Sequence, residues 1–203
     1  MDYSESERII LSYLVGALAD GSLYHNKKHY VNRVTYYQHS EEYLLRCIEP
    51  RIFKLFGVRG HFYHDKRKDV WFYEVTSKHV YTSIKETVEL FKSKGDRMVP
   101  SWIKNGNESI QYSFIKGFFD ADGWYHLHPE NSDFRVRFGQ AEYYILNDIR
   151  EMLVDKFICS DVLGPYKTKE GVKEYYELHL YGIEQVYKFR DLVKPCHPNK
   201  QLI

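Results

Sequence analysis

Cysteine is scarce, an excess of one charge sign is missing, and no apolar run approaches the ~20 residues that a helix needs to cross a bilayer. The three cysteines, Cys47, Cys159 and Cys196, are odd in number and far apart. That argues against a disulfide framework and against a cysteine-rich zinc site, leaving them as packed or incidental thiols. A formal net charge of +1 over 203 residues withholds the basic balance that commonly marks a nucleic-acid binder. Any such role must therefore rest on where the cations sit. The start, Met1 to Glu5, is acidic and polar and carries neither a secretory nor a basic transit signature. An intracellular protein without a membrane partner is expected, in the cytoplasm or nucleoid of a prokaryote or in an organelle.

What the sequence does contain is one pattern twice. Gly117-Phe118-Phe119-Asp120-Ala121-Asp122-Gly123 is an apolar run ending abruptly in carboxylates and a glycine, and Val15-Gly16-Ala17-Leu18-Ala19-Asp20-Gly21 ends the same way 102 residues earlier. The offset extends beyond the motif, as chance would not. Arg33 to Gln38 falls on Arg135 to Gln140, keeping an Arg, a Val, an aromatic and a Gln, and Phe72-Tyr73-Glu74-Val75 falls on Tyr175-Tyr176-Glu177-Leu178 after one inserted residue. Two diverged copies of a unit of roughly half the chain are implied, 1–94 and 109–203, joined by a Gly-, Pro- and Asn-bearing connector at 95–108 and forming one pseudo-symmetric body.

Periodicity supplies the elements of each copy. Ser4 and Glu7 make a capping box ahead of apolar residues at helical spacing, and Asp20-Gly21-Ser22 stops that helix, with glycine available for a left-handed end. Alternation from Ser22 to Gln38 predicts a hairpin, 40–56 a helix that Pro50 must kink, 59–76 a second hairpin around Asp65 to Asp69, and 78–94 a closing helix. The same order then recurs from Ile110 to Val193, ahead of an irregular tail. The expected fold is α+β, two tandem α-β-β-α-β-β-α repeats with antiparallel sheets.

If the two acid-ended helices pack on each other about a pseudo-two-fold axis, helped by the small residues Gly16, Ala17, Ala19, Gly117 and Ala121, then Asp20 and Asp122 share one place. Like carboxylates held together call for a cation or a shared proton. Hard oxygen donors without His or Cys favour Mg²⁺ over zinc, and metal-assisted hydrolysis of a phosphodiester follows. A single Asp-Gly is usually just a turn; two at matched positions in a repeat are harder to dismiss.

The two motifs resemble those of the LAGLIDADG homing endonucleases, in the single-chain form with two motifs per polypeptide, and Ile115 to Gly123 matches that pattern nearly position for position. The resemblance spans essentially the whole chain. It implies saddle-shaped sheets on the DNA major groove, cations held by the acids over the minor groove, cleavage of both strands at a long, nearly asymmetric target, and a gene lying within an intron. Asp20 and Asp122, with the preceding Ala19 and Ala121, are the implied cation site. Mg²⁺ or Mn²⁺ would support cutting, and Ca²⁺ binding alone. Gln38 and Gln140 match the polar residues near the attacking water, and Lys94 is the best match to a basic residue near the cut. The protein would act as a monomer on double-stranded DNA. The alternatives are a maturase that binds intron RNA and a non-cleaving DNA-binding protein of the same fold. The first motif departs from the pattern: Gly16 precedes Asp20 by four residues, whereas Gly117 precedes Asp122 by five. Asp120 meets Leu18 at the offset, so it is expected to make structural hydrogen bonds.

Strand parity assigns a DNA face independently. Val34 and Tyr36 alternate with Arg33 and Thr35, and Val136 and Phe138 with Arg135 and Arg137. Helices must cover the apolar side, which leaves Arg33, Thr35, Arg135 and Arg137 to meet base edges or phosphates. In the second hairpins, Lys66, Arg67, Lys68, Lys167 and Lys169 are placed to touch phosphates.

Overall fold

The computed structural model describes residues 3–88, 98–167 and 174–201. In the first half α1 (Glu5–Ala17) begins on Ser4, whose side chain and that of Glu7 cap each other's backbone, and continues into a 3-10 turn, Leu18–Asp20. The hairpin β1 (Gly21–Asn26) and β2 (Val31–Gln38) follows. Next come α2 (Glu41–Tyr43) and α3 (Glu49–Phe56), separated by a π-helical turn at Leu44–Ile48. The predicted break at Pro50 thus takes the form of a widened turn just before it. Proline has no N–H for the ladder, and the Arg51 guanidinium caps the Cys47 carbonyl at 2.6 Å. The strands β3 (His61–Asp65) and β4 (Val70–Thr76) and the helix α4 (Lys78–Thr87) complete this half.

The connector holds a short helix that periodicity did not announce, α5 (Ser101–Lys104). The order then recurs as α6 (Glu108–Asp122), β5 (Gly123–His128), β6 (Asp133–Gln140), α7 (Tyr143–Leu153), β7 (Leu163–Lys167), β8 (Glu174–Tyr181) and α8 (Ile183–Val193). Each half carries one four-stranded antiparallel sheet, in the orders β1-β2-β4-β3 and β5-β6-β8-β7. The inner strands face the helices with Val34, Tyr36, Val136 and Phe138, each at most 1% exposed. Phe119, Phe138 and Phe189 pack ring against ring under the second sheet, and burying each stabilises the fold by about 1.5–3 kcal/mol.

The packing of α1 on α6 positions the site. A Cβ on Gly16 would stand 2.2 Å from the Phe114 carbonyl oxygen, and one on Gly117 would stand 2.1 Å from that of Tyr13. Each helix therefore lays a glycine on the other's backbone. The helix contact repeats at an offset of 101, one less than the acids. That slip is absorbed at the end of α1: one α step and three 3-10 steps advance about 7.5 Å, the same as the five α steps from Gly117 to Asp122. Both acids thus reach equal depth. The glycines after them are not left-handed: φ is −162° at Gly21 and −94° at Gly123. They are there for space, because a Cβ at Gly123 would lie 2.1 Å from the Phe119 ring and one at Gly21 would lie 2.8 Å from the Thr35 carbonyl.

Candidate cleavage site and nucleic-acid face

Asp20 and Asp122 meet where the two helices end. Burial and then the neighbouring Asp122 carboxylate push Asp20 up to about 7, against the opposite pull of Lys200. A carboxylate so raised marks a buried acid with a second negative group beside it. Gln38, at the end of β2, donates from Nε2 to Asp20 Oδ2 at 2.8 Å and to the Ala121 carbonyl at 3.0 Å. Gln140, at the end of β6, donates to Asp122 Oδ2 at 2.8 Å. Each amide oxygen in turn accepts the next residue's N–H, His39 at 3.0 Å and Ala141 at 2.8 Å, which fixes the orientation of both. The four side chains predicted at the centre are therefore in one place, with Gln38 crossing from one half to the other.

Ala121 is buried with its carbonyl turned to the centre, while Ala19 is half-buried beside Asp20. Among the described residues no three His, Cys, Asp or Glu side chains gather into a full metal cage. Two carboxylates with carbonyl oxygens at helix ends instead suit a hard cation that keeps some water or takes phosphate oxygens. The donor set thus fits Mg²⁺ or Mn²⁺.

Lys94 lies outside the described residues, as does Lys169. The ammonium that does reach the centre is Lys200, in the tail. Its Nζ donates to the carbonyls of Phe119, Asp120 and Ala121 at 2.9, 2.8 and 3.0 Å. Burial pulls it down to about 8, against Asp120, Asp122 and Asp20, which favour its charge. Nothing in the sequence pattern singled it out, since it stands alone in a proline-bearing tail. Asp120, fully buried, makes the structural bonds expected of it, accepting from the Tyr13 hydroxyl at 2.8 Å and from tail N–H groups. Cys196 is not incidental: its thiol donates to the same carboxylate at 2.9 Å. A cleft of about 430 Å³ lined by Gln38, Ala121, Trp124, His197 and Lys200 opens beside this cluster.

On the polar sides of the sheets the arginines keep part of their surface exposed, whereas Thr35, expected to be exposed with them, is only 6% exposed. Thr35 lies in the middle of the sheet, opposite Ser22 on one side and opposite Glu74, which holds the Arg33 guanidinium, on the other. The arginines are half-buried and held. Arg33 pairs with Glu74 at 3.0 Å, Arg135 grips Asp133 through two bonds of 2.5 and 2.7 Å, and Arg137 pairs with Glu177. Aromatic faces support them: Tyr24 under Arg33, Tyr181 under Arg135 and Trp124 under Arg137. Glu74 and Glu177 are the residues sequence reasoning missed here. They match at 103 in the repeat, yet their pairing with arginine needs the strand register. Lys66, Arg67 and Lys68 are exposed on the β3–β4 turn, and Lys167 is exposed at the end of β7.

The model of a LAGLIDADG-like domain matches residues 109–194. Homing endonuclease I-ApeI of Aeropyrum pernix is 30% identical over 195 residues, covering 94% of this chain and 83% of that protein. The chain belongs to the LAGLIDADG homing endonuclease family. Solved structures of I-DmoI share the fold: a set of mesophilic variants superposes with a TM-score of 0.67 at 21% identity, over 95% of this chain and 99% of that one. I-DmoI in complex with DNA and Mn gives a TM-score of 0.67 at 19% identity, over 94% and 99%. The family model covers the second copy, where the motif fits best, while the fold match covers both.

Proposed function

We propose that this protein is a site-specific homing endonuclease that makes a metal-dependent double-strand cut in DNA. The observation that carries this is the pairing of Asp20 and Asp122 at packed helix ends, each held by an equivalent glutamine, in a chain related to I-ApeI and folded like I-DmoI, which has been solved with DNA and Mn. Binding alone does not require two like charges in one place. A bound Mg²⁺ or Mn²⁺ would activate water and offset charge on the phosphodiester oxygens. Asp20, Asp122 and the Ala19 and Ala121 carbonyls are the groups to hold it. Gln38 and Gln140 fix one oxygen of each carboxylate and orient the pair. The two sheets, with Arg33, Arg135 and Arg137 on their polar sides and Lys66, Arg67, Lys68 and Lys167 at their hairpins, supply the saddle for the duplex.

On this reading the target is long and nearly asymmetric, because the two halves present different side chains. The protein works as a monomer, since both acids come from one chain, and Ca²⁺ supports binding without cutting. Its gene lies in an intron, and it acts wherever the DNA of its host lies, in a prokaryotic cytoplasm or nucleoid or in an organelle. The test is incubation with Mg²⁺ and the uninterrupted form of the locus that carries the gene. A double-strand cut at one site is expected. No cut together with tight binding of the intron RNA would transfer the assignment to a maturase, and DNA binding without any cut would leave a non-cleaving protein of this fold.

A further inference from the structure

An arginine on a nucleic-acid face can hold a phosphate of any sequence or a particular base edge, and its neighbours decide which. In both halves the neighbours are of the same two kinds. Trp124 of β5 stands directly opposite Arg137 of β6 and lies under its guanidinium, and Tyr24 of β1 does the same for Arg33 of β2. Across the other edge of each inner strand is a carboxylate, one diagonal step away. Glu177 lies two residues along β8 from His179, the partner of Arg137, and Glu74 lies two residues along β4 from Thr76, the partner of Arg33. Glu177 Oε2 accepts from Arg137 Nη2 and, at 2.8 Å, from His179 Nε2, while Glu74 meets Arg33 at 3.0 Å. Burial works against a charge on Glu177, yet the bonds from Arg137 and His179 hold its carboxyl below the usual range, so it stays an anion. Burial in turn pulls His179 below its ordinary value and leaves it neutral. Arg137 and Glu177 thus cancel each other's charge. The guanidinium, 21% exposed and carrying five N–H, keeps donors for a further partner.

We propose that Glu177 and Glu74 are specificity-determining residues: each cancels the charge of an arginine on the DNA-facing sheet, so that the arginine adds little to unspecific phosphate binding and reads a guanine edge instead. The proposal rests on the nuclease reading above. A free guanidinium would gain from every phosphate it met, on the target or off it, and would release a counterion each time. A guanidinium already paired has lost that long-range pull, and its carboxylate repels a phosphate brought up to it. What remains is short-range and directional: N–H donors held over an aromatic face, which O6 and N7 of guanine satisfy. The two pairs are also unequally placed. Arg137 stands three residues before Gln140, and Arg33 five before Gln38, so Arg137 lies ~6.8 Å nearer its acid along the strand. The two halves therefore read guanines at different distances from the cut.

The test uses the full chain in Ca²⁺ and follows DNA binding by fluorescence anisotropy, which needs no cutting. The probes are a duplex spanning the insertion point in the uninterrupted locus and a scrambled duplex of equal length and composition, each over a series of salt concentrations. Glu177→Gln keeps the shape and an oxygen for Arg137 to bond, but removes the charge. It should bind the scrambled duplex several-fold more tightly, with a logarithmic salt slope steeper by about 0.9, and its preference for the locus duplex should fall about tenfold. Glu74→Gln should act alike in the first half. Base-pair substitutions through the locus duplex should show a position relaxed by each variant, with that of Glu177→Gln nearer the cut. Adding Arg137→Ala to Glu177→Gln should abolish the gain on the scrambled duplex. Glu184→Gln, the same charge change at an exposed place on α8, should leave both duplexes within about twofold. A merely structural glutamate would weaken binding on removal and not tighten it. Unchanged or weaker binding of the scrambled duplex by both glutamine variants, a gain that survives Arg137→Ala, or an equal gain in Glu184→Gln overturns the proposal. If the wild type prefers the locus duplex yet does not cut it in Mg²⁺, the nuclease reading falls, and the binding data alone still decide the role of the two carboxylates.

Discussion

In the first half, Asp20 ends a 3-10 turn four residues after its packing glycine and is held by Gln38. In the second, Asp122 ends an α-helix five residues after its glycine and is held by Gln140, while the same helix end also carries Lys200 and, through Asp120, the tail. The two halves agree in what sets the acids side by side: a glycine on the partner's carbonyl, an equal advance to the carboxylate, and a strand-end glutamine. They differ in what surrounds the acids. The agreement marks what a shared cation requires, and the difference lies in the residues that each half is seen to set around its acid.

The largest effect should come from removing one acid. Asp122→Asn keeps size and hydrogen bonding but takes away a charge, and cleavage of both strands should fall on the order of 10³-fold, with DNA binding in Ca²⁺ nearly unchanged. Strand-labelled cleavage and a binding titration check this. Loss on one strand only would mean that the halves work separately.

Gly16→Ala and Gly117→Ala examine the agreement itself. Alanine is the better helix former by about 1 kcal/mol, yet each new methyl would meet a partner carbonyl, so a net loss of about 1–3 kcal/mol is expected from each. Denaturation midpoints should fall alike. A much smaller cost at Gly16 would show that the helix crossing is lopsided.

Arg137→Ala and Arg135→Ala examine the difference on the polar faces. Arg137 rests on Trp124 and pairs with Glu177 through Nη2, while its Nε has no hydrogen-bond partner; Arg135 is gripped by Asp133 through both Nε and Nη2. Arg137→Ala should cost roughly 1–3 kcal/mol in target binding or in discrimination, and Arg135→Ala less. Unchanged affinity, specificity and salt dependence in Arg137→Ala would remove that face from the interface.

The smallest effect concerns stability without metal. Asp20 titrates at about 7 when folded, above its ordinary 3.8. Its contribution is therefore fully present below about pH 4 and is lost as pH rises through about 7. In chelator, the wild-type melting temperature should fall across that window. Asp20→Asn should flatten the fall, and Mg²⁺ should reverse it. A wild-type curve that rises from pH 4 to 7 in chelator, and stays unaltered in Asp20→Asn, would contradict the crowded-carboxylate picture.

The fold was legible because it repeats: apolar spacing set the helices, alternation set the hairpins, and the offset of 102 tied Gln38 to Gln140 and Asp20 to Asp122. What escaped notice lies outside the repeat or depends on register. Lys200 meets Met98 at the repeat offset and has no periodic neighbour, so only the path of the tail brings it to α6. Glu74 and Glu177 were visible as a matched pair, but their neutralising of Arg33 and Arg137 appears only once β4 and β8 are laid beside β2 and β6. Thr35 was misjudged because parity tells which side a residue faces and not what stands opposite it. Gly21 was credited with a backbone freedom it does not use, since turn chemistry and lack of space select the same residue.

The most direct test of the shared centre compares Asp20→Asn, Asp122→Asn and the double variant for cutting of each labelled strand in Mg²⁺. If one cation-dependent unit serves both strands, each single change should stop both cuts and the double should cost little more, because residues acting as a unit are strongly non-additive. Multiplying losses, or a single variant that still cuts both strands, would contradict it.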